Sequence, residues 1–169
     1  GICGGLQMLG TMLEDPFLKE GSKTYLEKKI RGLGLLPLKT TFFENKITRQ
    51  TYSKSIWPCL SEINGFEIHN GKTILDKMQK SLRIMPMFQD SELGWYREND
   101  GGGIIAGTYI HGIFENDEWR DQYINVIRKN KKLPTVEKKT RSYKIKRESI
   151  IDNLANEFNK HLNISSLLN

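Results

Sequence analysis

Leu6, Leu9 and Leu13, with Met8 and Met12 beside them, recur at the interval of a helix face, and Asp15-Pro16 closes the run. The spacing predicts a helix over residues 4–14 that starts directly after Cys3. Residues 21–31 carry no such period and read as loop. Two extended segments follow, GLGLLPLKTTFF (residues 32–43) and KITRQTYSKSIW (residues 46–57), around the turn-forming pair Glu44-Asn45. GFEIHNGKTIL (residues 65–75) reads as another, broken at Asn70-Gly71. After a polar stretch, GWYREN and GGGIIAGTYIHGIF predict two strands flanking Asp100 and three glycines, so the second half reads as sheet-rich. Asn116 then stands as an N-cap, with Asp117 and Glu118 in the first turn and Trp119, Tyr123 and Ile127 on one helical face. Ile150, Ile151, Leu154, Phe158 and Leu162 form an apolar stripe over residues 148–162, which predicts a C-terminal helix that docks on the domain. Mixed strands and helices make this an α/β chain.

The 169 residues suffice for one domain with a core. No run approaches the roughly 20 apolar residues of a membrane span. No charged segment followed by an apolar one marks a secretory leader, so the cytoplasm is the expected compartment. The chain does not begin with methionine, and the expectation is that residues precede Gly1. Residues 1–128 read as the main domain, 129–147 as a basic connecting segment, and 148–169 as a helix packing on the same domain. The net charge of +6 draws largely on RKNKKLPTVEKKTRSYKIKR, residues 128–147. Little aromatic interleaving occurs there, and no nucleic-acid module surrounds it, so it reads as a solvated connector rather than a nucleic-acid surface. Cys3 and Cys59 lie far apart with no metal-ligand spacing around them, which predicts neither a disulfide framework nor a metal site.

A cysteine set alone in a glycine-rich bend is a candidate nucleophile. GICGG has the small residues that a nucleophile elbow needs, where an extended segment turns sharply into a helix and leaves the nucleophile in strained geometry. Gly1 and Gly5 flank Cys3 two residues away, and Gly4 is also without a side chain. The following helix would aim free N–H groups at the sulfur and favour the thiolate, and the Gly4 N–H is placed to donate to an oxyanion. A buried cysteine in a glycine-rich turn fits the pattern alone equally well. In GTYIHGIF an apolar strand ends on His111, the place for a general base beside a nucleophile. Taken by itself, a strand-end histidine also suits a surface hydrogen-bonding role.

GICGGLQMLG followed by DP, then GLGLLPLKT, GFEIHNGKT and GTYIHGIFENDEWR in this order, resembles the glutamine amidotransferase domain of the cobyric acid synthases, enzymes of cobalamin biosynthesis. The resemblance runs from Gly1 to about Tyr123 and more loosely into the C-terminal helix. It implies a flavodoxin-like α/β fold of the class I amidotransferases, incomplete at the N-terminus. In that fold a cysteine attacks the side-chain amide of glutamine, releases ammonia and leaves a glutamyl thioester for water to hydrolyse. By matching motifs, Cys3 is the expected nucleophile and His111 the expected general base. Gln7 falls where related domains hold the substrate glutamine, and the i to i+4 spacing puts it on the face of Cys3 one turn further in. Glu67 and His69 belong to the family's pattern. Strand alternation places them on one face, with Ile68 on the other, either lining the substrate side or a partner interface, or forming a purely structural pair. Many class I amidotransferases carry a glutamate two positions after the histidine. Here Ile113 occupies that position, which agrees with a Cys–His dyad; Glu115, the nearest carboxylate, receives no role.

The resemblance further implies partners outside these residues. An N-terminal synthetase domain of the same chain would use ATP and magnesium to amidate carboxylates of a corrinoid, cobyrinic acid diamide, with ammonia from this domain. This segment has no phosphate-binding loop and needs no cofactor of its own. Without a strand before the elbow and a second oxyanion donor, the 169 residues alone are expected to show little or no glutaminase activity. Two other readings stand beside this one: an amidotransferase subunit for peptidoglycan amidation, which shares GICGG and the GTY-x-HG strand, and a non-catalytic flavodoxin-like binding module. IFENDEWR and EIHNGKT favour the corrinoid enzymes over the former.

Overall fold

In a computed structural model that describes residues 1–18, 28–76, 78, 82–137 and 142–161, the helix after Cys3 is short. α1 spans Gly4–Leu9 and stops at Gly10, whose N–H bonds back to the Gln7 carbonyl at 3.1 Å. The stretch expected to continue the helix instead forms strand β1, Met12–Glu14, parallel to β3 (Leu38–Ser55) and antiparallel to β2 (Lys29–Arg31). Thr11 makes the switch. Its N–H and its Oγ1 both donate to the Leu38 carbonyl, at 2.7 and 3.0 Å, so β3 captures the chain before a further helical turn forms. The loop expected over residues 21–31 therefore yields a strand at its end, while residues 21–27 lie outside the described residues.

β3 is continuous through Glu44-Asn45, where a turn was expected. It pairs antiparallel with β4 (Ser61–Leu75) along its length, and the register shifts between Thr41 and Lys46. Residues 42–45 bow out opposite Gly71, so the turn chemistry serves a bulge within one long hairpin. The order of this sheet is β2-β1-β3-β4. A second, antiparallel sheet takes the order β5 (Met85–Pro86), β6 (Gly94–Glu98), β7 (Ile104–Thr108); GWYREN holds β6, but the strand expected through GGGIIAGTYIHGIF stops at Thr108, and His111 lies three residues beyond it, on a single bridge to Phe66. Bridges Ser55–Phe88 and Phe66–His111 tie the sheets together. The expected α/β class is what the chain forms, with parallel pairing at β1–β3 and at Ile2–Thr108.

Two apolar clusters hold these layers. Leu6 of α1 packs with Leu36, Leu38, Trp95 and Tyr109; Trp57, Ile63, Phe88, Ile110, Ile113 and Trp119 belong to the other. α2, Asp117–Asn130, seats Trp119 in this second cluster, where its indole N–H donates to the Trp57 carbonyl at 3.1 Å. Asp117 and Glu118 open α2 and Arg128 and Lys129 close it, each sign suited to its end of the helix dipole. Asn116 stands at the N-cap but makes no side-chain cap bond.

The chain forms two compact units, Gly1–Thr135 and Val136–Asn169. In the second, α3 spans Tyr143–His161, starting ahead of residue 148, and none of its residues is buried. Ile150, Ile151, Leu154 and Phe158 of the predicted stripe are exposed, and Leu162 lies outside the described residues. Among the described residues no helix is long and apolar enough to cross a membrane.

Candidate active site

Extended backbone at Ile2, paired parallel with Thr108, turns at Cys3 directly into α1. Cys3 sits at φ 52° and ψ −113°, outside the regions an L-residue normally occupies, at a cost of about 1–3 kcal/mol. Two hydrogen bonds hold the bend to the end of β7: Cys3 N–H to the Thr108 carbonyl at 2.8 Å, and Thr108 N–H to the Gly1 carbonyl at 3.0 Å. Gly1 is required by close approach, since a Cβ there would lie 2.4 Å from the Gly5 carbonyl carbon. Gly4 and Gly5 differ from the expectation that every neighbour must be small. A Cβ on either would meet nothing within 4 Å. At the head of α1, the Gly4 N–H makes no hydrogen bond among the described residues, leaving a donor next to the thiol.

β4 runs along this bend and brings His111 to it. The Cys3 thiol donates to the Ile68 carbonyl at 3.3 Å, and Gln7 Nε2 donates to the Asn70 carbonyl at 3.0 Å. Two residues earlier, Phe66 and His111 exchange both backbone hydrogen bonds, at 2.8 and 3.2 Å, and their rings stack at 5.0 Å. Gly65 allows the approach, because a Cβ there would stand 2.4 Å from the His111 carbonyl oxygen. Cys3 and His111 thus contact positions 68 and 66 of one strand, about 7 Å apart along it. The thiol's own hydrogen bond goes to Ile68 rather than to His111. His111 Nε2 is buried without a hydrogen-bond partner among the described residues. A buried ring nitrogen left unpaired costs about 1–3 kcal/mol.

Asn116 secures the loop after His111. Its Oδ1 accepts from the Asn64 N–H and its Nδ2 donates to the Asn64 carbonyl, both at 2.9 Å, while Nδ2 also reaches the Ile113 carbonyl at 3.0 Å. The side chain expected to cap α2 is used to clamp that loop to β4.

Glu67 and His69 are buried, at 3% and 6% exposure. Glu67 Oε1 accepts from Arg49 Nε at 2.8 Å and from Thr51 Oγ1 at 2.7 Å, and Oε2 lies 3.2 Å from His69 Nε2. Burial pushes the carboxyl's pKa up, but the hydrogen bonds from Arg49, Thr51 and His69, with the Arg49 charge, outweigh it and hold the pKa below the ordinary glutamate value. The His69 ring stacks on Tyr109 at 3.8 Å. Tyr109 Oη in turn contacts Gln7 Nε2 at 3.3 Å and Thr73 Oγ1 at 2.5 Å. Burial raises the Tyr109 pKa, and its hydrogen bonds with Thr73, Gln7 and Thr40 offset this only in part.

Cys3, Gln7 and His111 therefore converge on β4, the strand that also carries Glu67 and His69. The sequence reading did not single out Arg49, Thr51, Thr73, Tyr109 or the Asn64–Asn116 clamp. Tyr109 was within reach of it, lying two residues before His111 in GTYIHG. Arg49 and Thr51 reach Glu67 through the β3–β4 register, Arg49 opposite Glu67, which no local pattern states.

An elbow cysteine and a histidine held to the same strand of a mixed α/β frame is the architecture of a glutamine amidotransferase, and the chain belongs to that class. The profile of the CobB/CobQ-like glutamine amidotransferase domain matches residues 1–119, so the chain is a member of this family. Among similar proteins, the cobyric acid synthase of Prochlorococcus marinus (strain MIT 9312) is 75% identical over 169 residues, covering 100% of this chain and 33% of that protein. The cobyric acid synthase of P. marinus (strain NATL2A) is 45% identical over 168 residues, 99% of this chain and 33% of the relative. That of Synechococcus sp. (strain CC9311) is 41% identical over 173 residues, 100% of this chain and 34% of the relative. The chain spans about a third of the length of the relatives it matches.

Proposed function

We propose that this chain is the glutamine-hydrolysing part of a cytoplasmic cobyric acid synthase, working through a Cys3–His111 dyad. His111 takes the thiol proton and Sγ attacks the side-chain amide carbon of glutamine. The resulting oxyanion is met by the Gly4 N–H, placed by the bend at Cys3. When the carbon–nitrogen bond breaks, His111 returns the proton to nitrogen and ammonia leaves, with a glutamyl thioester on Cys3. Water, deprotonated by His111, then attacks the thioester, giving glutamate and restoring the thiol. Gln7, one turn along α1, holds the glutamine. The ammonia is consumed in a synthetase domain that uses ATP and magnesium to amidate side-chain carboxylates of cobyrinic acid a,c-diamide.

The backbone at Cys3 carries this reading: a positive φ held at the head of a helix, with His111 three residues past the strand position that anchors it. The names of the similar proteins favour a corrinoid over peptidoglycan as the acceptor. The test uses the full-length protein with glutamine or ammonium as nitrogen source. Cys3→Ala is expected to abolish glutamine-dependent amidation, keep ammonium-dependent amidation, and lose labelling by a glutamine-mimicking diazo-ketone. Glutamine-dependent turnover that survives Cys3→Ala, or absence of label on wild-type Cys3, overturns the proposal.

A further inference from the structure

Gln7 is buried, and both hydrogens of its Nε2 are committed, one to the Asn70 carbonyl at 3.0 Å and one to Tyr109 Oη at 3.3 Å. Reversing the amide would set its oxygen against the Asn70 carbonyl, acceptor on acceptor, so the hydrogen-bond geometry fixes its orientation. Because Nε2 only donates, Tyr109 Oη accepts there, and the phenol proton is free for Thr73 Oγ1 at 2.5 Å, itself 2.6 Å from Thr40 Oγ1. From the side, the His69 ring stacks on Tyr109 and is anchored on Glu67. Neither the ring nor the hydroxyl of Tyr109 is left to drift. What remains of Gln7 is Oε1, which makes no hydrogen bond among the described residues.

We propose that Tyr109 is a positioning residue of the glutamine site: with the Asn70 carbonyl it makes Gln7 an obligate acceptor, so that Oε1 receives an N–H of the substrate. This rests on the reading of Cys3 as the nucleophile on glutamine. Gln7 lies one helical turn, about 5.4 Å, beyond Cys3. In a glutamine whose amide carbon is at Sγ, the four bonds from that carbon to the α-nitrogen span about 5 Å. The α-ammonium is therefore the N–H group that reaches Oε1, and the leaving amide stays at the dyad. Loss of the Tyr109 hydroxyl leaves one Nε2 hydrogen unpaired and the side chain held on the Asn70 side alone, so Oε1 is presented less firmly to the α-ammonium.

The test measures ammonia release by the full-length protein from L-glutamine and from glutaramate, its analogue without the α-ammonium. Tyr109→Phe, Gln7→Ala and the double variant are compared with wild type. Tyr109→Phe is expected to raise KM for glutamine about three- to tenfold, the loss of roughly one hydrogen bond, with kcat within about twofold. Its preference for glutamine over glutaramate falls by the same factor, and the double variant is no worse than Gln7→Ala. A generally loosened core would not move the two substrates apart or remove the additivity. An unchanged KM and preference in Tyr109→Phe, a fall in kcat alone, or additive effects in the double variant would overturn the positioning role while leaving glutamine hydrolysis standing. Wild-type protein that releases no ammonia would instead remove the amidotransferase reading itself.

Discussion

Replacing Cys3 by glycine should stabilise the chain relative to replacing it by alanine, the reverse of the usual order. At an ordinary position glycine is the worse residue by roughly 0.5–1 kcal/mol, because its unfolded backbone has more freedom to lose. Cys3 is not ordinary, since φ 52° with ψ −113° places Cβ against its own backbone. Relief of that strain is worth about 1–3 kcal/mol, so glycine should exceed alanine by about 1 kcal/mol after the entropic loss is set against it. Both variants lose the thiol and its bond to Ile68, so those contributions cancel in the comparison. Thermal denaturation followed by fluorescence is suited to the measurement, because Trp57, Trp95 and Trp119 are all buried. For a domain of this size, the difference corresponds to a Tm about 2–4 °C higher for Cys3→Gly. A Cys3→Gly variant that melts at or below Cys3→Ala would refute the claim that Cys3 sits in strained backbone.

Gly65→Ala should force β4 away from His111, because the new methyl would lie 2.4 Å from the His111 carbonyl; a stability loss of about 1–3 kcal/mol in urea unfolding, with lower kcat for ammonia release, is the expected outcome. Asn116→Ala removes the Asn64 clamp and should cost about 1–2 kcal/mol by the same measurement, with its larger effect on kcat than on KM. Glu67 titrates below its ordinary value when folded, so its contribution is fully present above the unfolded carboxyl's pKa of about 4.3 and is lost as pH falls through the lowered folded value. Urea midpoints compared between pH 7 and pH 3 should therefore drop less steeply for Glu67→Gln than for wild type; equal slopes would show that the Arg49–Thr51–His69 hydrogen bonds do not favour the carboxylate.

The chemistry of the site was legible locally, and its supports were not. GICGG announced a bend at Cys3 because that is a short-range requirement, written in neighbouring residues. The helix expected through residue 14 ended at Leu9, since Met12, Leu13 and Glu14 satisfy a strand once Leu38 offers its carbonyl to Thr11. Likewise Glu44-Asn45 has turn chemistry, and only the pairing of β3 with β4 decided that it would serve as a bulge.

The sequence by itself determined that Cys3 would stand at a bend next to a helix and that Gln7 would lie one turn along; the strand expected to end on His111 stops at Thr108 instead. The bend and the helical turn depend on residues within a few positions of one another, where steric allowance and periodicity act directly. Only the tertiary structure decided that Ile68 and Asn70 would offer their carbonyls to Cys3 and Gln7, and that Arg49 would neutralise Glu67. It also turned Asn116 from a helix cap into a clamp on β4. Those contacts join residues 18 to 65 positions apart, and hydrogen bonds over such distances follow from strand register, which the burial of a whole sheet selects and no short segment can.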